Sequence, residues 1–321
     1  MKKSILALSL AGAAIFSTTA QAECGEVSIT EMNWASGAVV TSVAKFLMEQ
    51  GYGCTVQKVP SSTVPSVTSV AETGKPDILT ELWLTSVPMY KKLEDEGKVI
   101  TATNVIADGG KDSWLVPKYL VDKHPELKTI EGVLANPQLV GGRFHNAPDG
   151  WGIRIKNDNL IKAFDFAGHK MNVFNHGSGE TLAASIASAY QSKQPWFGYY
   201  WAPTSVLGKY EMVAVDMGNF DKASHDCIQD TECANPGKTS LPSATVITAV
   251  TRDLANREPQ IYELMSNMSF TSAEMSRLLA WQEKNKASAE ETAVHFITQY
   301  GDTWSGWIDD EARQKLSSLL K

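Results

Sequence analysis

Three of the nine tryptophans in this 321-residue chain occupy the same kind of position, where an apolar run gives way to a loop marked by Pro or Gly. Trp83 closes "PDILTELW" ahead of Pro88, Trp151 stands in "APDGWGIR", and Trp201 ends "PWFGYYW" just before Pro203. Each alone reads equally well as a core indole whose N–H has found an acceptor. Together, at equivalent ends of strands in two halves of the chain, they describe a shared cleft. Indole faces attract a cation that hydrogen bonds cannot satisfy, above all a quaternary ammonium group. A stacked sugar ring is the competing guest, but it needs many carboxylate and amide partners, and few stand near these residues.

The segment "APDGWGIRIKNDNL" offers a second kind of contact. Gly150 and Gly152 let the backbone approach a ligand closely, and a helix expected from near Asn157 aims unpaired N–H groups at an anion. A zwitterion with a carboxylate and a trimethylammonium group would satisfy both halves; the plain alternative is a Gly-rich turn before a helix. Glu81 lies two residues before Trp83, on the same strand face, and Glu31 lies three before Trp34. An acidic group beside the cage favours a ligand of net positive charge or a protonated N-oxide. The alternative for each is a solvated or Lys-paired carboxylate. Trp34 either forms a fourth wall or packs beneath the cage, while Trp114, Trp281, Trp304 and Trp307 read as scaffold.

Catalysis and metal binding find little support. "HGSGE" at 176–180 lacks a nucleophile elbow, and Ser178 is read as the N-cap of a helix beginning at Glu180. "HDC" at 225–227 lacks a second His-bearing motif, His169 and His176 do not form a convincing metal scaffold, and no His-rich tract suggests zinc uptake. No catalytic residue, cofactor or metal is expected, and a secreted hydrolase is the disfavoured alternative.

The elements that must hold these residues alternate in type. A strand at Glu26–Thr30, a helix over "SGAVVTSVAKFLMEQGYG" and a strand at Thr55–Val59 make a βαβ unit. A helix closed by Gly74, the strand ending at Trp83 and a helix over Met89–Glu96 continue it. A second unit beginning near Val116 runs through "LVGGRF", "NDNLIKAF", "MNVFNH", "GETLAASIASAYQSK" and the aromatic strand. "SATVITAVT" is a further strand, followed by a helical tail. The fold class is therefore α/β, with two lobes, each a mostly parallel sheet flanked by helices, and ligands beyond the carboxyl ends of the strands. The expected division is a signal peptide at 1–22, lobe 1 at 23–114 and 243–321, and lobe 2 at 115–242.

Lys2 and Lys3, the apolar run Ile5–Phe16 and Ala20-Gln21-Ala22 form a secretory leader, so the mature chain is expected to begin at Glu23 and to be periplasmic. Cys24 is not placed for a lipid anchor. The net charge of −7 with no basic tract argues against nucleic acid. Four cysteines in an oxidising compartment imply disulfides, and of the three connectivities 24–54 with 227–233 is favoured.

"NWASGAVVTSVAKFLMEQGY", "DILTELWLTSVP", "PDGWG" and "GYYWAPTSVLGKYEM" resemble segments of the substrate-binding proteins of ABC importers for glycine betaine, choline and related osmolytes. The resemblance covers essentially the whole mature chain. It implies the type II periplasmic-binding-protein fold, closing on its ligand, with a membrane permease as partner; a monomer is expected. It also implies a cage of Trp83, Trp151 and Trp201, and backbone N–H groups of Gly152 and Ile153 as carboxylate donors. One departure stands out: a Trp-x-Pro-x-His pattern of some members is here "WLTSV", with Val87 in place of His, which leaves Arg154 or His145 to compensate. Glycine betaine is the first expected ligand, with choline, trimethylamine N-oxide or carnitine as alternatives.

Overall fold

A computed structural model of the chain describes residues 24–84 and 87–320; the expected leader lies outside them. Nine strands form one path of sheet: β1 (Glu26–Met32), β2 (Thr55–Ser61), β3 (Ile78–Trp83), β4 (Val99–Pro117), β5 (Arg143–Asn146), β6 (Asn172–Asn175), β7 (Gly198–Ala202), β8 (Met212–Ala214) and β9 (Ala244–Thr251). Their order is β2-β1-β3-β9-β4-β7-β5-β6, with β8 beside β4.

The βαβ units give the parallel pairs β1 with β2 and β3, and β5 with β6 and β7, because a helical crossover returns the chain in the same direction. Between these two parallel groups β4 and β9 run antiparallel, so the sheet is mixed. β4 serves both lobes: up to Gly110 it pairs with β9, and from Lys111 onward with β7 and then β8. The second unit thus begins in a strand that starts at Val99, not near Val116. Gly109-Gly110 hides it in the sequence, since the pair reads as a turn; Gly109 does have φ +75°, and the ladder with β9 shifts register three times before Gly110.

The helix Ala35–Tyr52 buries Val39, Val43 and Leu47, spaced by four, against the first lobe's sheet, and Gly53 in the left-handed conformation ends it. Helices Ala289–Gln299 and Asp310–Leu319 of the tail pack on the same helix, so the chain finishes on the lobe where it began. In the second lobe Trp114 sits at the centre of a ring cluster, 4.7 Å from Phe144 and 5.9 Å from Phe197, and its Nε1 donates to Asn157 Oδ1 at 2.9 Å. Disulfides join Cys24 to Cys54 at the starts of β1 and β2, and Cys227 to Cys233 across a short loop.

Candidate functional site

Trp34, Trp83, Trp151 and Trp201 line a single narrow cavity. Trp83 is the last residue of β3 and Trp201 the penultimate residue of β7, while Trp34 and Trp151 are the N-cap residues of helices that follow β1 and β5. The cavity therefore opens at strand ends of both lobes, where an α/β sheet leaves room for a ligand. Alternation along β7 sends Tyr199 and Trp201 into it, their ring planes 12° apart and centroids 6.1 Å apart. Trp151 stands edge-on between two neighbours, with centroids 5.4 Å from Trp34 and 5.0 Å from Trp201.

Glycines make room for these rings. A Cβ on Gly110 of β4 would lie 2.2 Å from the Trp83 ring, so only glycine lets that indole lie against the strand. A Cβ on Gly179 would meet Trp151 at 3.2 Å.

Behind the rings stands Glu81, 1% exposed and with φ +49° in the left-handed region. Its Oε1 accepts Trp34 Nε1 at 2.7 Å, Ser36 Oγ at 2.7 Å and Trp83 Nε1 at 3.4 Å. One carboxylate oxygen thus orients two cage walls. Oε2 is buried with no partner. Burial outweighs these bonds and raises the carboxyl to about 7. Glu81 is not on the cavity surface. Glu31 lies away from it too, paired with Lys58, which also holds Glu290.

Polar contacts on the wall come from Thr63, Asp112, Tyr199 and the backbone at Gly152 and Ile153. Three helices start at the cavity: Ala35–Tyr52, Thr63–Thr73 and Gly152–Ala163. None has a side-chain cap, in contrast to helix Gly179–Ser192, where Ser178 and Thr181 form a capping box. Their first N–H groups and positive dipole ends can receive a ligand's polar oxygen atoms. The helix expected from Asn157 begins five residues earlier, at Gly152. "GIRIK" has a Gly and two β-branched residues, whose weak helix propensity concealed that first turn.

Two candidates for a carboxylate contact are engaged elsewhere. Arg154 forks onto Asp158 at 2.9 Å and reaches Asp149 at 2.6 Å. His145 Nδ1 is 2.9 Å from His176 Nε2, and its ring stacks on Trp196; burial lowers its basicity to about 4. Val87 is the buried N-cap residue of helix Pro88–Asp95 and is absent from the wall.

Asp112 was not singled out from the sequence. Beside Lys111 it looks like an ordinary solvated charge, yet it is 5% exposed on the cavity wall, and its Oδ1 accepts the Tyr199 hydroxyl at 2.7 Å. The available signal was its place just before the buried run "SWLVP". The two lobes also touch beside the cage: Trp151 Nε1 donates to Asn33 Oδ1 at 2.7 Å, and Val64 N–H donates to Gly150 O at 3.0 Å.

Solved structures share this architecture. A glycine betaine/L-proline ABC transporter binding protein (ProX) of Borrelia burgdorferi superposes with a TM-score of 0.74 at 18% identity, covering 91% of this chain and 99% of that one. An ABC-transporter choline binding protein in complex with choline gives 0.75 at 18%, covering 93% and 99%. Lactococcal OpuAC, closed on glycine betaine, gives 0.71 at 18%, covering 89% and 100%. A search of curated proteins returns no match. The family model described as the substrate binding domain of ABC-type glycine betaine transport systems matches residues 25–299, and the chain belongs to that family.

Proposed function

We propose that this protein captures a small methylated-ammonium solute between its two lobes and delivers it to the membrane permease of an ABC importer. The observation that carries the reading is the convergence of four indoles, from both lobes, on one cavity. Such walls favour a cation whose desolvation is cheap. The uncapped helix starts at Thr63, Gly152 and Ile153 suit the polar end of such a solute, whether carboxylate or hydroxyl. The named ligands of the choline-bound and betaine-bound structures are of this chemistry.

We assign the site no catalytic step: the hydroxyl and carboxylate on the wall, Tyr199 and Asp112, are bonded to each other and read as part of a binding surface. Among the described residues no helix is long and apolar enough to cross a membrane; the leader read from the sequence supports a periplasmic protein. The change of ladder partner along β4 after Gly110 favours a first crossing four residues before the expected 114/115 limit, with 243–321 returning to lobe 1. A thermal-shift panel of glycine betaine, choline, carnitine, proline betaine and trimethylamine N-oxide tests the reading, since a ligand of the native state raises its melting point. A flat response to all five at saturating concentration would refute it.

A further inference from the structure

Asp112 is the charged side chain on the cavity wall. Tyr199 occupies its Oδ1, whereas among the described residues Oδ2 has no hydrogen-bond partner and is not one of the polar atoms sealed from solvent, which leaves it available on a residue that lines the cavity. Among the described residues Asp112 has no ion-pair partner. Burial raises its carboxyl above the ordinary range, opposed by the Tyr199 hydrogen bond and by the charge of Lys156, whose Nζ is turned to His225 Nε2 at 3.3 Å. The other acidic group at the cage is Glu81, which lies behind the indoles of Trp34 and Trp83. A buried carboxylate without a counter-ion is costly, and a bound cation would supply one.

From this geometry we infer that Asp112 is the specificity-determining residue of the cage, selecting a net-cationic trimethylammonium alcohol, choline being the simplest, over a zwitterionic betaine. The inference rests on the ammonium reading of the cavity. Either ligand desolvates Oδ2 on entry. Choline returns an unopposed positive charge and a hydroxyl that donates to Oδ2. A betaine brings a carboxylate into the same narrow cavity, so repulsion from Asp112 opposes the attraction to its ammonium end. The helix N-termini favour a ligand anion over a hydroxyl oxygen and so offset part, not all, of that repulsion.

The test is titration calorimetry of choline, glycine betaine and propyltrimethylammonium, which replaces the hydroxyl by a methyl group, on wild type and Asp112→Asn. Asn keeps an oxygen for the Tyr199 hydroxyl. Wild type is expected to bind choline at least about tenfold more tightly than either competitor, and the variant to lose that preference. A betaine affinity equal to or above that of choline overturns the inference, as does an equal loss for both in the variant. Should Asp112→Asn fail to fold, the wild-type series decides alone. Failure of all three to bind wild type refutes the ammonium reading itself, a result distinct from binding without preference.

Discussion

Each cage residue has a separable task, and substitutions can tell the tasks apart. In the proposed cage Trp201 offers a ring face without making a cross-lobe hydrogen bond; Trp201→Ala is expected to weaken binding by about 1–2 kcal/mol, roughly tenfold, and, because the ring is buried, to lower the melting temperature without loss of the fold. Glu81 acts through the rings it holds. Its folded-state carboxyl is raised to about 7 from an ordinary value of 4.5, so the native protein holds a proton there that the unfolded chain has released. The stabilising contribution is therefore complete below about pH 4.5 and is lost as pH rises to about 7, on the order of 3 kcal/mol over that window. Glu81→Gln, which keeps an oxygen for Trp34 and Ser36, should flatten this part of the stability profile in denaturant titrations from pH 4 to 8. An unchanged slope would show that Glu81 is ionised throughout. That Trp83, Trp151 and Trp201 share a cavity was legible because each stands where an apolar run gives way to a loop. Glu81's position behind them was not, since its left-handed backbone breaks the alternation that placed it on the face of Trp83.

At the scale of elements, the wall depends on how closely β4 approaches β3. Gly110→Ala would push a methyl group into the Trp83 ring, and the ring must swing into the cavity. Binding is expected to fall more than tenfold while far-ultraviolet circular dichroism stays that of wild type. Retained affinity would mean that Trp83 is not a wall. The alternating βαβ pattern made the parallel parts of the sheet readable from hydrophobic period alone. β4 resisted that reading because its nineteen residues carry two adjacent glycines and several register shifts, features that local periodicity scores as a break. Asp112 was lost with it: a carboxylate next to a lysine becomes informative only when its strand is known to run through the cleft.

Across the whole molecule, the lobes meet through Asn33 with Trp151 and Val64 with Gly150. A ligand with walls from both lobes binds this closed arrangement best, and so shifts the population toward it. Small-angle scattering should show compaction on adding the ligand that the thermal panel selects, and none with a non-binder. Asn33→Ala removes one closing bond of the usual net worth, about 1 kcal/mol. It is expected to weaken affinity about fivefold and to enlarge the ligand-free particle. Equal dimensions for both proteins would show that this contact does not hold the lobes together. The lobes' existence was readable from chain length and repeated α/β units, but the contact was not: Asn33 acquires its meaning from a residue 118 positions away.

The crowding of indoles around one small space also gives the molecule an optical signature. Trp151 and Trp201 lie with centroids 5.0 Å apart and planes at 87°, and Trp34 stands 5.4 Å from Trp151 at 74°. Chromophores this close and this strongly tilted couple their electronic transitions, so the near-ultraviolet circular dichroism should be dominated by a few of the nine tryptophans. Because those same rings are the proposed walls, an occupant alters their polarity and mutual angle at once. Emission and dichroism would then change together on loading, and the unlabelled chain would report its own occupancy.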